Sequence, residues 1–456
     1  MKNLLVTLII YIVFCLCLII FSLTQRTLTF SDFEWSSIFV TLILLIFFLR
    51  YINKIKLLSV YSLFFFTTLI FIGGRFIAAF LGYTEEHIFT LDFFVYRELI
   101  DIYKTRLMLF VLNIFIMLEA GMYASKLFTL NKQNLPNITR TSTIPRFNIY
   151  TLYITIFIII SLLAASLPEV VNKVLSNGYL ALHGGQSEAY EVGLFSKAVT
   201  LLYATLGIFL TQTNKKLKKI DIVILIIFSI IYMVLGSRGT FVCNILFLIW
   251  VYYELGNRKL NVIKLISLFI AITLFLSFGF NLLTVREIDS ENQSAYSSML
   301  GLLFDQGITL MVFNEIINIE NYPILPMIQN FIPGTIFIAS NFIQVSPQNV
   351  SYANYLAYSL SPALFSQGYG LGWSVFGDFY VLAGQSLVGF SIIVFLWSYY
   401  INKVDKWAKF NHLWRIINIS TLPALLFLPR AGLYTYFPLY MYIFILIILV
   451  KIKFKK

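Results

Sequence analysis

Charge is scarce in this chain: Asp, Glu, Lys and Arg make up 12% of its 456 residues, about half the roughly 25% usual in soluble proteins. With 59% apolar residues and a mean hydropathy of +0.85, that scarcity excludes a string of soluble domains. Cysteine is scarcer still. Cys15, Cys17 and Cys243 all lie inside apolar runs with no mate at ligand or disulfide spacing, which excludes a disulfide framework and a zinc site. No Walker loop or dinucleotide fingerprint is present; Gly368, Gly370 and Gly372 form a G-x-G-x-G cluster, but no strand precedes it. No D-x-D pair or His/Cys/Asp cluster stands at metal-ligand spacing, so no metal is expected and a nucleotide-sugar donor is disfavoured. An internal repeat is missing too, which weighs against an inverted-repeat transporter.

What the chain does have is long apolar runs. About 20 residues cross a hydrocarbon core of roughly 30 Å, and the sequence predicts twelve such helices: 3–23, 35–49, 57–81, 106–130, 149–167, 195–212, 220–235, 240–254, 262–284, 374–401, 416–428 and 433–450. Residues 240–254 and 416–428 are the shortest. The first run follows Lys2, is longer than a signal-peptide core and has no small-x-small cleavage site before Gln25, so it reads as a retained anchor.

The charges test this arrangement independently, because cytoplasmic loops collect Lys and Arg. With Met1 inside, 23 of the 33 basic residues fall on the cytoplasmic side, from Lys2 through the Lys215–Lys219 cluster to Lys456. Only Glu119, Asp221, Glu254 and Asp405 accompany them, leaving ten basic and 17 acidic residues outside. A one-helix error would invert every later loop and destroy the segregation. Both termini are therefore expected in the cytoplasm, and the net charge of +12 requires no nucleic-acid partner. The expected fold is an all-α polytopic membrane protein: helices one to nine over 1–284, a large outer loop over 285–373, and helices ten to twelve over 374–456. A loop that long is a functional one. Its prolines break it into short pieces, and apolar stretches such as Phe331–Phe342 predict short helices lying on the membrane or dipping into it.

Seven of the ten outer basic residues are arginine: Arg26, Arg75, Arg97, Arg106, Arg238, Arg286 and Arg430. The guanidinium fork grips phosphate oxygens in pairs and keeps its charge when partly buried. Four of them sit at outer span ends beside small or turn-forming residues: Gly73-Gly74-Arg75, Gly236-Ser237-Arg238-Gly239, Leu283-Thr284-Val285-Arg286 and Leu428-Pro429-Arg430-Ala431-Gly432. Arginine within a span costs about 2.5 to 3.5 kcal/mol on insertion scales, so each must snorkel, pair with a carboxylate or hold an anionic ligand. Three separate span ends bring Arg238, Arg286 and Arg430 to one depth, which favours a shared anion, and a clamp of this kind would neutralise a pyrophosphate leaving group directly. Asp378 opens the tenth span, where a carboxylate is expensive; it would act as a base or pair with an arginine. Asp305, Glu315 and His183 are further outer-side candidates. Tyr352, Tyr355, Tyr358, Tyr369 and Trp373 crowd the end of the large loop, as an interfacial anchor or as a stacking surface for sugar rings.

In topology and in short patches the chain resembles the Wzy family of O-antigen and related oligosaccharide repeat-unit polymerases. The patches are Asn177-Gly178-Tyr179 through Tyr190, Gly236-Ser237-Arg238-Gly239, Arg286, Gly370 to Gly384, and Pro429-Arg430. Family members typically carry a glutamate where Asp378 stands, followed by residues matching Tyr380 and Gly384. The resemblance implies a metal-independent GT-C-type glycosyltransferase of the bacterial inner membrane, working at the periplasmic face without a cofactor. It would move the growing glycan from undecaprenyl-pyrophosphate to a new lipid-linked repeat unit, so both donor and acceptor are undecaprenyl-pyrophosphate-linked oligosaccharides. A chain-length regulator protein would be a further partner. In this scheme Arg238, Arg286 and Arg430, with Arg75 as a weaker fourth, clamp the pyrophosphate, His183 and Tyr369 bind substrate, and Asp378 is the base or orients the acceptor hydroxyl. An O-antigen ligase would share carrier and topology, and a deletion separates the two, because a polymerase mutant still attaches single repeats. A lipid-linked oligosaccharide flippase would not require the large outer loop.

Overall fold

The structure, a computed structural model, describes residues 2–92, 94–130, 149–177, 192–212, 238–255 and 295–451. The runs expected over 220–235 and 262–284 lie outside the described residues. Six of the described helical stretches are long and apolar enough to cross a membrane, and four shorter apolar helices accompany them.

Helices α1 (Lys2–Leu23), α2 (Asp32–Ile52), α3 (Val60–Phe80) and α4 (Asp101–Leu130) form the first group. Their ends are set by local chemistry. Ser31 caps α2 in a reciprocal box, accepting from the Glu34 amide while its own amide donates to Glu34 Oε2 at 2.7 Å, an arrangement worth about 1 kcal/mol. Ser59 caps α3 in the same sense by accepting from the Ser62 amide. Residues 81–100 join α3 to α4 and contain an antiparallel two-residue pair, Thr90–Leu91 with Arg97–Glu98. They therefore place the end of α3 and the start of α4 on one face of the bundle, its upper face.

α4 is almost wholly buried, whereas α1 lies outermost. Burial forces pairing on its one mid-helix carboxylate, because an unpaired charge in low dielectric is very costly. Arg50, at the lower end of α2, donates through Nε to Glu119 Oε1 at 3.0 Å and through Nη2 to the same oxygen, and Tyr61 Oη donates to it at 2.7 Å. The Phe65 ring lies 3.9 Å from the guanidinium carbon. In the sequence, Arg50 and Glu119 fall among the charges of the inner face. Both are buried inside the bundle, and since they cancel, the asymmetry of the loops is unchanged.

Helices α5 (Ile149–Asn177), α6 (Val192–Gln212) and α7 (Arg238–Trp250), which runs on into a π-turn at Val251–Leu255, form the second group. The large loop contributes α8 (Ala295–Gln306), α9 (Thr309–Ile317), α10 (Ile324–Phe331), α11 (Thr335–Ala339), α12 (Tyr352–Leu360) and α13 (Pro362–Ser366). Closing the chain are α14 (Val375–Leu382), α15 (Leu387–Trp407), α16 (His412–Phe427) and α17 (Phe437–Lys451).

Two features differ from expectation. The run 374–401 is two helices: Gly384 and Gln385 adopt φ of 61° and 62°, and Ser386 caps a new helix by accepting from the Gly389 amide at 3.1 Å. An apolar run that continues through the turn hides this break. The large loop also holds a span-length apolar stretch, Tyr296–Ile317, yet both of its ends sit at the upper face. Tyr296 Oη donates to Leu81 O at 2.7 Å, just beyond α3. At the other end Ile317 O accepts from Tyr380 Oη, which in turn accepts from Arg106 near the start of α4. The stretch therefore dips into the bundle and returns, with its bend at Gly307. There the backbones touch: a Cβ at Gly307 would lie 2.5 Å from the Arg75 nitrogen, and one at Gly74 would lie 2.6 Å from Leu303 O. Only glycine permits so close an approach.

Candidate active site at the upper face

Sequence punctuation at separate helix ends converges on Phe71 of α3. The guanidinium carbon of Arg430 lies 6.0 Å from the Phe71 ring centre. A Cβ at Gly239, the residue after Arg238, would meet the same ring at 3.3 Å and Phe427 at 3.0 Å. Arg238, the residue before Gly239, belongs to α7, so this helix passes close to the same ring as Arg430. Arg75 is one turn further along α3. Arg430 is half-buried on the 3₁₀ turn Leu428–Arg430, and its Nη1 donates to Gln306 Oε1 at 3.1 Å. Gln306 directly precedes the Gly307 contact with Arg75, so the dip of α8 carries it to this position.

Arg75 is buried in a different manner. Its Nη1 donates to Ile88 O at 2.9 Å and to Thr90 O, its guanidinium carbon lies 4.4 Å from the Phe304 ring centre, and Nε has no hydrogen-bond partner among the described residues. It fastens residues 81–100 onto α3, with one N–H still to be satisfied. Acidic residues surround that segment. Burial and neighbouring Asp92 push the Glu86 carboxyl above its ordinary range, and Arg75 opposes them.

Asp378 lies on α14, 1% exposed, and its two oxygens accept three hydrogen bonds. Oδ1 takes Asn330 Nδ2 at 2.8 Å and Trp373 Nε1 at 3.0 Å, and Oδ2 takes the Leu433 amide at 2.7 Å. The donors come from α10, the turn before α14 and the 3₁₀ turn Leu433–Thr435. Ser374, the cap of α14, donates to Pro429 O at 2.8 Å. The segment 428–435 thus carries Arg430 on one side and is tied to Ser374 and Asp378 on the other.

The chain matches the O-antigen polysaccharide polymerase Wzy family over residues 7–456. It belongs to that family. No curated protein and no solved structure matches it. Family membership makes it a multi-pass membrane protein and a glycosyltransferase-type enzyme of O-antigen polysaccharide biosynthesis.

Of the site residues expected from the sequence, Arg75, Arg430 and the backbone of α7 at Arg238-Gly239 are brought together in this Wzy-family chain, with Asp378 one strap away. Arg286 and His183 lie outside the described residues. Tyr369 is 37% exposed after α13, at the surface of the loop. Glu315 is engaged by Arg97 at 2.7 Å and by Asn314 at 3.0 Å, and Asp305 lies on α8. Within the aromatic crowd, Tyr352 and Trp373 are buried and stack on each other at 5.3 Å, with Tyr322 edge-on against both, whereas Tyr358 and Tyr369 are exposed. Gln306 and Asn330 were not foreseen. Each is an uncharged amide in a loop, and its partner is 124 or 48 residues away; the one local signal was the glycine that follows Gln306.

Proposed function

We propose that this chain is an O-antigen polymerase of the bacterial inner membrane, with both termini cytoplasmic and the upper face in the periplasm. It transfers the growing glycan from an undecaprenyl-pyrophosphate donor to a new undecaprenyl-pyrophosphate-linked repeat unit. A hydroxyl oxygen of the acceptor bonds to the donor's anomeric carbon, the bond from that carbon to the pyrophosphate breaks, and the pyrophosphate leaves with the electron pair while the hydroxyl gives up its proton.

The observation that carries this reading is the approach of Arg430 and of the Arg238-Gly239 step of α7 to Phe71 of α3, one turn before Arg75. Preorganised cations stabilise charge that develops on a leaving group. Arg430 is the principal clamp residue here, because it is half-buried and, among the described residues, its hydrogen bond goes to a neutral amide. Arg238 and Arg286 join it, and Arg75 holds the frame. His183 and Tyr369 contact the glycan, and a chain-length regulator protein is a partner. The three donors on Asp378 favour the orienting role: a general base must reach the proton it takes, and both Asp378 oxygens are engaged within the protein.

Arg430→Gln tests the clamp. Purified protein is incubated with a synthetic lipid-pyrophosphate repeat unit, and the product ladder is followed in time. A charge-assisted hydrogen bond contributes about 1.5 to 3 kcal/mol, so the rate should fall at least about tenfold, with partial recovery in Arg430→Lys. A ladder formed at the wild-type rate by folded Arg430→Gln would overturn the clamp.

A further inference from the structure

The loop that contains α10 to α13 is unusual in a way the polymerase reading does not explain. From Asn321 to Gly377 there is no Asp, Glu, Lys, Arg or His. At the roughly 25% charged residues usual in soluble chains, a segment of this length would carry about 14. Its apolar side chains are not hidden either. Along α10, Ile324, Ile328 and Phe331 are exposed, at the i, i+4, i+7 spacing of one helical face, while Pro326 and Asn330 are buried on the other. Beyond α10 the exposure continues through Ile332, Phe337 at 70% and Phe342 at 83%. The α11 helix buries none of its residues.

An exposed apolar surface of this size marks contact with a partner or a membrane. Two observations favour lipid. The Phe331 ring packs 5.0 Å from that of Phe437, the first residue of α17. α17, one of the shorter apolar helices, itself exposes Phe444, Ile445 and Ile448, so the loop's apolar edge continues into a second exposed apolar surface. The absence of charge matches as well, since charges are expensive inside the hydrocarbon layer.

We propose that the apolar edge of α10, α11 and residues 340–343 is immersed in the acyl-chain region of the bilayer and forms the lipid-facing wall of the candidate site. The opposite face of α10 holds Asp378 through Asn330, so one short helix touches lipid on one side and the site's carboxylate on the other.

Nitroxide labels at Phe337→Cys and Phe342→Cys, each in a Cys17→Ser background, test this in vesicles of phosphatidylethanolamine and phosphatidylglycerol. Cys17 is the exposed cysteine of the three, and Tyr96→Cys, on residues 81–100 and 75% exposed, gives the aqueous reference. The proposal expects collision with oxygen to exceed collision with a water-soluble nickel chelate at 337 and 342, and the reverse at 96. Nickel accessibility at 337 and 342 equal to that at 96 would overturn it by placing the edge in water. Low accessibility to both reagents would also overturn it, and label–label broadening relieved by unlabelled protein would then identify a second copy as the cover. Both positions are surface side chains, and Ile338→Cys offers a third should one variant fail to fold.

Discussion

Replacing Asp378 by Asn changes one atom in a buried network that has three donors among the described residues. The carboxylate accepts two hydrogen bonds on Oδ1 and one, from the Leu433 amide, on Oδ2. In the asparagine the oxygen can retain Asn330 and Trp373, but its NH2 group then faces the Leu433 N–H, donor against donor. A buried N–H left unsatisfied costs about 1 to 3 kcal/mol. The two surviving bonds also fall from charge-assisted to neutral strength, a loss of about 1 kcal/mol each. The sum, about 3 to 5 kcal/mol, is a third or more of a typical folding free energy near 10 kcal/mol. Asn330→Ala removes one donor and leaves two, so its loss should stay near 1.5 to 3 kcal/mol. Thermal unfolding in detergent, read by the monodispersity of the protein–detergent complex, measures both, and the product ladder reports activity in the folded fraction. The expected order is wild type, Asn330→Ala, Asp378→Asn, with the 428–435 segment freed in the last. An Asp378→Asn protein within about 0.5 kcal/mol of wild type and still polymerising would show that the three donors do not hold the carboxylate as described.

The buried pair of α2 and α4 should behave asymmetrically: Arg50→Leu or Glu119→Leu alone loses about 3 to 5 kcal/mol by stranding a charge, whereas the double variant recovers most of it, as a double-mutant cycle on unfolding would show. Gly307→Ala drives a Cβ into the Arg75 backbone at 2.5 Å and should cost about 1 to 3 kcal/mol by overpacking, with polymerisation reduced because Gln306 no longer meets Arg430. Burial raises the folded Glu86 carboxyl above its ordinary value of 4.5, so the folded state binds the proton more tightly than the unfolded one. Its contribution to holding residues 81–100 is full below about pH 4.5 and is lost as pH rises through the folded value. Amide exchange of residues 81–92 should quicken relative to intrinsic rates over that window, and Glu86→Gln should flatten the change.

Much of the bundle was readable because hydropathy reports span length directly. α1 to α4, α6, α16 and α17 fall within a few residues of the apolar runs. What hydropathy misses is direction. The turn at Gly384-Gln385 sits in an unbroken apolar run, so α14 and α15 merged into one expected span. The dip of α8 and α9 went unseen because Asp305 and Glu315 dilute its hydropathy, although Glu315 meets its neutralising arginine in the fold. At the site, arginines were legible by their small neighbours and by the expense of charge in a membrane. Their amide partners were not, because nothing local to Gln306 or Asn330 distinguishes a latch from a surface residue. The aromatic crowd was visible as a crowd, but a sequence cannot say whether rings will stack on a sugar or on each other.

The Arg50–Glu119 pair also has a consequence for how the chain is made. The two residues are 69 positions apart, and at about 5 to 20 residues per second the carboxylate emerges from the ribosome several seconds after the arginine. During that interval Arg50, two residues from the end of α2, must reach for the lipid headgroups. It can leave them only when α4 arrives alongside. α2 is therefore a helix that enters the bilayer before it can settle there, and the bond that settles it ties α2 to α4 before the segments that carry Asp378 and Arg430 have been synthesised.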